Sequence, residues 1–370
     1  MNSTLRIGLF LVTLFSGNML FSQAGLGLRF IALNSPEHGI TTFGVPEKKY
    51  HFGVHYRWFD ADQVYIGNNR RPELEDANTH DIFNTHSLNL NIGYMLNKRW
   101  SFFASLPLVW NQKSSVQEHS IVNDNVIRLQ RRVTEAIGIG DMFVGTDFQI
   151  TDRVTNTVGS LTATAAVKIP TGDYQVTDRW QGVGPGRTDV IRPVDPAIQP
   201  GDGTWGALLG LRGSLLVFDW LGAYGEARYL ATPADTNGVS TFRNTISNLY
   251  DGEGSTSVAD QYMSRIGISV RVPGSILILN SGIRIDGIPV NDLIGKSSGF
   301  RRPGFASTWE NGVTVQTKDF SFYVTIPYVY FQTRYQSNPD RIYSLQNSTV
   351  RHGEGAFSRF MVYAGLQARI

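Results

Sequence analysis

The chain has 370 residues, a net charge of +2, 41% hydrophobic and 17% charged residues, and no cysteine. Interspersed, nearly balanced charge leaves no basic stripe for nucleic acid, and the missing thiols exclude disulfides, thiolate metal centres and a lipidated N-terminal cysteine. With 38 glycines and 12% aromatics, and no heptads or run of helix formers, the balance favours many strands joined by turns.

Residues 1–24 read as a secretory signal peptide: Arg6, an apolar stretch from Ile7 to Phe15, a polar break, then small residues around Ser22 to Gly25. The apolar run is about half of the roughly 20 residues a helical span needs, and no later stretch is longer. Residues 25–47 lack barrel-type alternation and are expected to form a periplasmic tail, a lumenal plug or an extra strand. The remainder, 48–370, alternates.

From Tyr50, the apolar set Tyr50, Phe52, Val54, Tyr56 and Trp58 faces away from His51, His55 and Arg57. Leu88, Leu90, Ile92, Tyr94 and Leu96 then alternate with Ser87, Asn89, Asn91 and Gly93. "WSFFASLPLVWNQ", Trp100 to Gln112, follows, and is nearly rewritten as "FSFYVTIPYVYFQ", Phe320 to Gln332. Between these copies, Met142 to Ile150, Leu161 to Ile169, Trp205 to Leu211, Leu221 to Tyr229, Ile266 to Val272 and Leu277 to Ile285 carry the same period, more weakly echoed at Val313 and Val315. The last, "RFMVYAGLQARI", ends at Ile370.

About twelve strands result, each about ten residues long, which is longer than sandwich strands and matches tilted strands crossing a bilayer. Short links at 97–99, 219, 273–274 and 318–319 alternate with long ones at 60–83, 111–138, 171–203, 232–257, 287–304 and 333–356. The pattern predicts an all-β, transmembrane, antiparallel up-and-down barrel with short periplasmic turns, long extracellular loops and both mature termini in the periplasm of a Gram-negative bacterium.

Trp100 to Trp110 and Phe320 to Tyr330 each span ten steps; at a rise of roughly 3.3 Å and a tilt of roughly 40° the height is about 25 Å, that of a barrel's apolar band. Trp58, Trp100, Trp110, Trp205, Phe320 and Tyr330 are therefore expected in the two aromatic girdles, against lipid and lipopolysaccharide. Pro107 and Pro327 have lumenal parity, and each removes a ladder donor, so a bulge or interrupted pairing is expected near the outer rim in both copies.

The inward faces carry His51, His55, Arg57, Asp141, Asp147, Lys168, Arg212, Glu226, Arg228, Arg265, Arg271, Arg284, Asp286, Glu310 and Arg359. Such charge fits a watered lumen with a modest preference for anionic or polar solutes, or an ion-pair network that fills a narrow barrel. His51 and His55 lie roughly 13 Å apart along one strand, too far to share a metal, so no metal and no cofactor is expected. "ADTNG" (Ala234 to Gly238) and "DGEG" (Asp251 to Gly254) lack the full calcium-loop pattern. His86-Ser87 and His119-Ser120 are the only hints of an outer-membrane lipase, and no orienting third group accompanies them. "GFRRPGF", Gly299 to Phe305, is a basic loop, read as a solvated turn or a contact for surface polysaccharide.

"GIGDMFVGTDFQI" (Gly138 to Ile150), "LTATAAVKIPTGD" (Leu161 to Asp173) and "QPGDGTWGALLGL" (Gln199 to Leu211) resemble, in this order, the outer-membrane barrel family named for the meta-pathway of phenol degradation. The likeness covers the middle third clearly and implies a transporter barrel, often associated with catabolism of aromatic compounds, with no catalytic residues to carry over. Outer-membrane barrels commonly end in Phe or Trp, where this chain has Ile370. The reading is a channel for passive uptake of small molecules, with aromatic, other hydrophobic or anionic solutes as candidates. Its rivals are a lipase-type hydrolase and a non-transporting barrel that binds an envelope protein partner.

Overall fold

The period-two pattern becomes twelve staves of one closed antiparallel sheet in the computed structural model, which describes residues 48–116, 120–122, 125–127, 131–151, 158–241 and 252–370. The expected signal peptide, the segment 25–47, His119 and Asp251 lie outside the described residues. The staves are β1 (Tyr50–Ile66), β2 (Ile82–Met95), β3 (Trp100–Ser115), β4 (Arg132–Ile139, resumed at Met142–Gln149), β5 (Gly159–Ile169) and β6 (Gly206–Phe218). The second half comprises β7 (Leu221–Ala231), β8 (Gln261–Arg271), β9 (Leu277–Ile288), β10 (Gly304–Gln316), β11 (Phe320–Arg334) and β12 (Gly355–Arg369). Each pairs with its neighbours in sequence, and β1 also pairs with β12, from His51↔Arg369 to Tyr65↔Gly355, which closes the sheet; the extension Arg132–Ile139 of β4 pairs with β3 alone.

Burial follows the alternation. On β1, Phe52, Val54 and Tyr56 are exposed while His55, Arg57 and Phe59 are buried. Phe102 and Leu108 of β3, Leu209 of β6, Ile266 and Ile268 of β8, and Phe322 and Ile326 of β11 likewise point outwards. An apolar belt around the whole circumference exceeds anything a soluble surface tolerates, and lipid is the solvent it suits.

Several staves overshoot the apolar band. β1 has 17 residues and β3 has 16, and pairing runs up to Ala61↔Phe83 and Ser115↔Arg132. The loops expected at 60–83 and 111–138 therefore contract to 67–81 and 116–131. Apolar periodicity ends where lipid ends, but the backbone groups beyond still need partners and continue the ladder. The other long links carry structure of their own. Hairpins form at Thr177–Trp180 with Val190–Pro193 and at Thr236–Ser240 with Ser255–Ser257. Two short helices, α1 (Pro72–Asp76) and α2 (Asn338–Asn347), cap the loop end; α2 begins with a reciprocal box in which Ser337 and Asp340 serve each other's backbone N–H.

Both repeated prolines interrupt pairing on one side only. Pro107 stays in register with Asn89 of β2, but towards β4 the partners jump from Ser105↔Phe143 to Leu108↔Ile139. One extra residue is therefore accommodated at Gly140-Asp141, which splits β4. Pro327 pairs in register with Glu310 of β10, whereas towards β12 the ladder skips Ile326 and Pro327 and ends at Tyr328↔Phe360. The next link above is a bridge from Gly67 to Arg334.

Candidate functional site

The link 170–205 does not stand in solvent. Val194, Asp195 and Ile198 are fully buried, and the first and last pack among Phe59, Phe83, Ala136 and Met361 on the inward faces of the staves. Loop 170–205 thus folds into the barrel, and two groups of residues hold it there.

The first group is a knot of the three glycine-rich motifs. Asp141, at the bulge opposite Pro107, accepts from the backbone N–H of Gly172 at 3.2 Å through Oδ1 and of Asp202 at 3.1 Å through Oδ2. Thr171 Oγ1 donates to the Gly140 carbonyl at 2.8 Å and accepts from Met142 N–H at 2.9 Å. A Cβ on Gly172 would come within 2.7 Å of Gly201 Cα, and one on Gly201 within 2.3 Å of the Gly172 carbonyl oxygen, so only glycine fits at either point. Lys168, fully buried, pairs with Asp202 and draws β5 to the same junction. Asp141, an expected lumen-lining charge, borders the inner of two lumenal chambers while its oxygens hold backbone.

The second group is a buried clamp. Arg302 donates to both oxygens of Asp195 at 2.8 Å, and Lys113 Nζ sits 2.9 Å from Asp195 Oδ2 and 2.7 Å from Asp81. Burial raises the Asp195 carboxyl, but the Arg302 and Lys113 charges outweigh it and hold the group well below the usual carboxylate range. A group depressed in the folded state stabilises above its unfolded pKa and loses that contribution only as pH falls through the folded one. Protection of loop 170–205 from limited proteolysis is therefore expected to stay constant from pH 7 down to about 4, where ordinary carboxylates begin to protonate. A rise in cleavage over that interval would contradict the clamp.

Most of the expected charges do meet in the lumen. Arg212 lies 3.6 Å from Asp147, Glu226 sits between Arg228 and Arg265 at 2.5 Å from each, and Arg284 reaches Asp286 at 2.7 Å and Glu310 at 2.9 Å. In these contacts four arginines meet four carboxylates, so the expected arginine excess is locally cancelled. Arg284 also donates to Tyr363 Oη at 3.0 Å, and His55 shares a 2.9 Å hydrogen bond with Tyr323. His51 contacts the Lys48 carbonyl, and Arg271 is half-buried at the turn end of β8. Arg359 is solvent-exposed where the β1–β12 register slips between Phe59 and Gln63, and its guanidinium lies 3.2 Å from the side-chain amide of inward-facing Gln63.

Of the expected girdle residues, Trp100, Trp110, Trp205, Phe320 and Tyr330 are exposed on the outer face, and Trp58 is half-buried against Phe360. Trp110 stacks on His86 at 5.2 Å. His86 is therefore on the outer face, while adjacent Ser87 is buried on the inner one, bonded to Asn89. Strand neighbours face opposite ways, and this pair forms no dyad. In the basic loop, Arg301 is buried against Asp292 and Ser257 and Arg302 is held by Asp195, so neither presents itself to a surface polysaccharide. Among the described residues no cluster of side chains is arranged to hold a metal ion.

Two chambers occupy the loop half of the lumen. An inner one of about 170 Å³ is bounded by Arg57, Asn89, Pro107, Tyr174 and Val258, and an outer one of about 540 Å³ by Asp81, Phe83, Glu253, Arg334 and Arg351. Phe300 and Arg302 belong to both walls. An inward apolar patch of Phe103, Phe143, Leu208, Leu230 and Met263 also lies on the inner faces of β3 to β8. Its sequence signals are the consecutive apolar runs Phe102-Phe103, Met142-Phe143-Val144 and Leu208-Leu209, in each of which one residue must face inwards.

The chain matches no protein-family model and no curated protein sequence. Among solved structures it is similar to an outer membrane channel from Pseudomonas putida F1, with a TM-score of 0.57 and 12% identity over 91% of this chain and 100% of that one. Weaker likenesses are to the translocator domain of autotransporter NalP from Neisseria meningitidis (TM-score 0.45, 11% identity, 89% and 91% covered) and to the CymD monoaromatic hydrocarbon channel (TM-score 0.39, 9% identity, 95% of each). At such identities what is shared is the fold, that of Gram-negative outer-membrane barrels.

Proposed function

We propose that this chain is an outer-membrane channel for the passive passage of small molecules, delivered by the signal peptide at 1–24 and seated at 48–370 with both mature termini in the periplasm. The observation that carries it is the pair of chambers sharing one wall inside a closed, lipid-facing barrel whose inner surface is charged and hydrogen-bonded. A membrane anchor or a purely structural barrel needs no such interior, whereas a solute path does. The fold likeness to an outer-membrane channel and the three motifs of the meta-pathway family support the same reading, with aromatic or anionic solutes as the favoured cargo. The outward His86 and inward Ser87 weigh against the lipase alternative. The test is conductance of the purified protein in planar bilayers, with arabinose-driven swelling of proteoliposomes beside it. Discrete conductance steps and swelling above that of empty vesicles are expected; silence in both assays would rule the channel out.

A further inference from the structure

Arg302 stands at the partition between the two chambers with a phenyl ring on either hand: its guanidinium carbon is 5.3 Å from the Phe300 ring centre and 5.8 Å from that of Phe83. Both rings, like Arg302, form part of the outer chamber's wall, and that chamber's 540 Å³ is ample for a small aromatic molecule. The planar fork of the guanidinium is already engaged, bidentately, by a carboxylate, and that carboxylate is Asp195, carried on the inward loop just past its hairpin. Lys113 supplies a second cation to the same oxygens.

From this arrangement we infer that Arg302 with Phe83 and Phe300 is a binding site for small aromatic monocarboxylates, in which Asp195 is the internal occupant that a solute displaces. The solute's two oxygens reproduce the fork geometry, which a guanidinium matches and a lysine does not. Its ring packs against the phenyl groups that flank the cation, as apolar area and as a cation–π partner. An aliphatic acid such as acetate offers the oxygens without the ring and competes poorly with an intramolecular carboxylate. Exchange is isoelectronic at Arg302, with one carboxylate leaving as another arrives, so no buried charge is left unpaired at that group. The loop keeps other anchors when Asp195 is freed: the motif knot and the 3.0 Å bond from Asn111 Nδ2 to the Ile198 carbonyl. The site rests on the channel reading and names a solute class for it.

Single-channel recording on the full-length purified protein distinguishes the two. Benzoate added on the loop side is expected to produce saturable, millisecond blockades that equal concentrations of acetate do not. Asp195→Asn, which removes the internal competitor, is expected to lower the half-blocking benzoate concentration by about tenfold or more. Arg302→Met is expected to abolish the blockades, with heat-modifiable gel migration confirming a folded barrel. Should that variant not assemble, Phe300→Ala serves in its place, with a loss of benzoate selectivity over acetate. Benzoate blockades that persist in Arg302→Met, or a half-blocking concentration unchanged or raised in Asp195→Asn, would overturn the site. An open channel indifferent to benzoate would overturn the site alone, and the absence of any conductance would overturn the channel reading instead.

Discussion

Asp141→Ala is expected to release loop 170–205 from the lumen and raise single-channel conductance, while the apolar belt still forms. The carboxylate is 2% exposed and satisfies the N–H groups of Gly172 and Asp202, which belong to separate motifs about 30 residues apart in sequence. Each buried donor left without an acceptor costs about 1–3 kcal/mol. Two of them, at a junction where the glycine backbones are already in contact, are enough to undock a segment. Limited proteolysis checks this directly: cleavage between 173 and 204 rises in the variant and not in the parent. Equal protection in both proteins would show that the knot is dispensable.

Arg284→Met is expected to destabilise the barrel by about 3–5 kcal/mol, the cost of stripping the cation from buried carboxylates. Arg284 is 2% exposed and is the common partner of Asp286 on its own stave and Glu310 on the next, both nearly as buried. The substitution keeps much of the side-chain volume, so the loss is electrostatic. Adding Glu310→Gln to the variant should restore part of it, because one of the two orphaned charges is then removed. Urea midpoints in detergent measure the loss and the rescue. In bilayers the same single variant adds one net negative charge to the lumen, and the reversal potential should move towards cation selectivity. A midpoint unchanged in Arg284→Met would mean that water, not the arginine, neutralises this cluster.

Strand number, antiparallel order and closure were legible from periodicity alone, because lipid imposes that period across the apolar band. Legibility stopped where lipid stops. Lys113 and Phe83 lie on stave extensions that pair without an apolar pattern, so their shared role at Asp195 left no trace in the alternation. Asp195 and Arg302 sit in loops 107 positions apart, and only folding of the loop into the lumen brings them together. The three motifs were visible as glycines and aspartates, but their meaning was spatial: a Cβ that cannot fit and two backbone donors with one acceptor. Parity counting also assumes an unbroken register, and it cannot show the paired slips between Phe59 and Gln63 in the seam where Arg359 lies.

That seam has a temporal consequence. Every other ladder of the barrel joins staves adjacent along the chain, so each can zip as soon as its second strand is available. The ladder from His51↔Arg369 upwards, closed at its foot by reciprocal 2.9 Å bonds between Tyr50 and Ile370, joins the first stave to the last. Loop-closure entropy makes such a pairing the slowest to nucleate, and it has no shorter-range substitute. Until it forms, β1 and β12 hold two raw edges, and both would face hydrocarbon if the sheet entered the membrane first. The chain must therefore reach its lipid with those edges shielded from one another's absence, and assembly is complete only when its two ends meet.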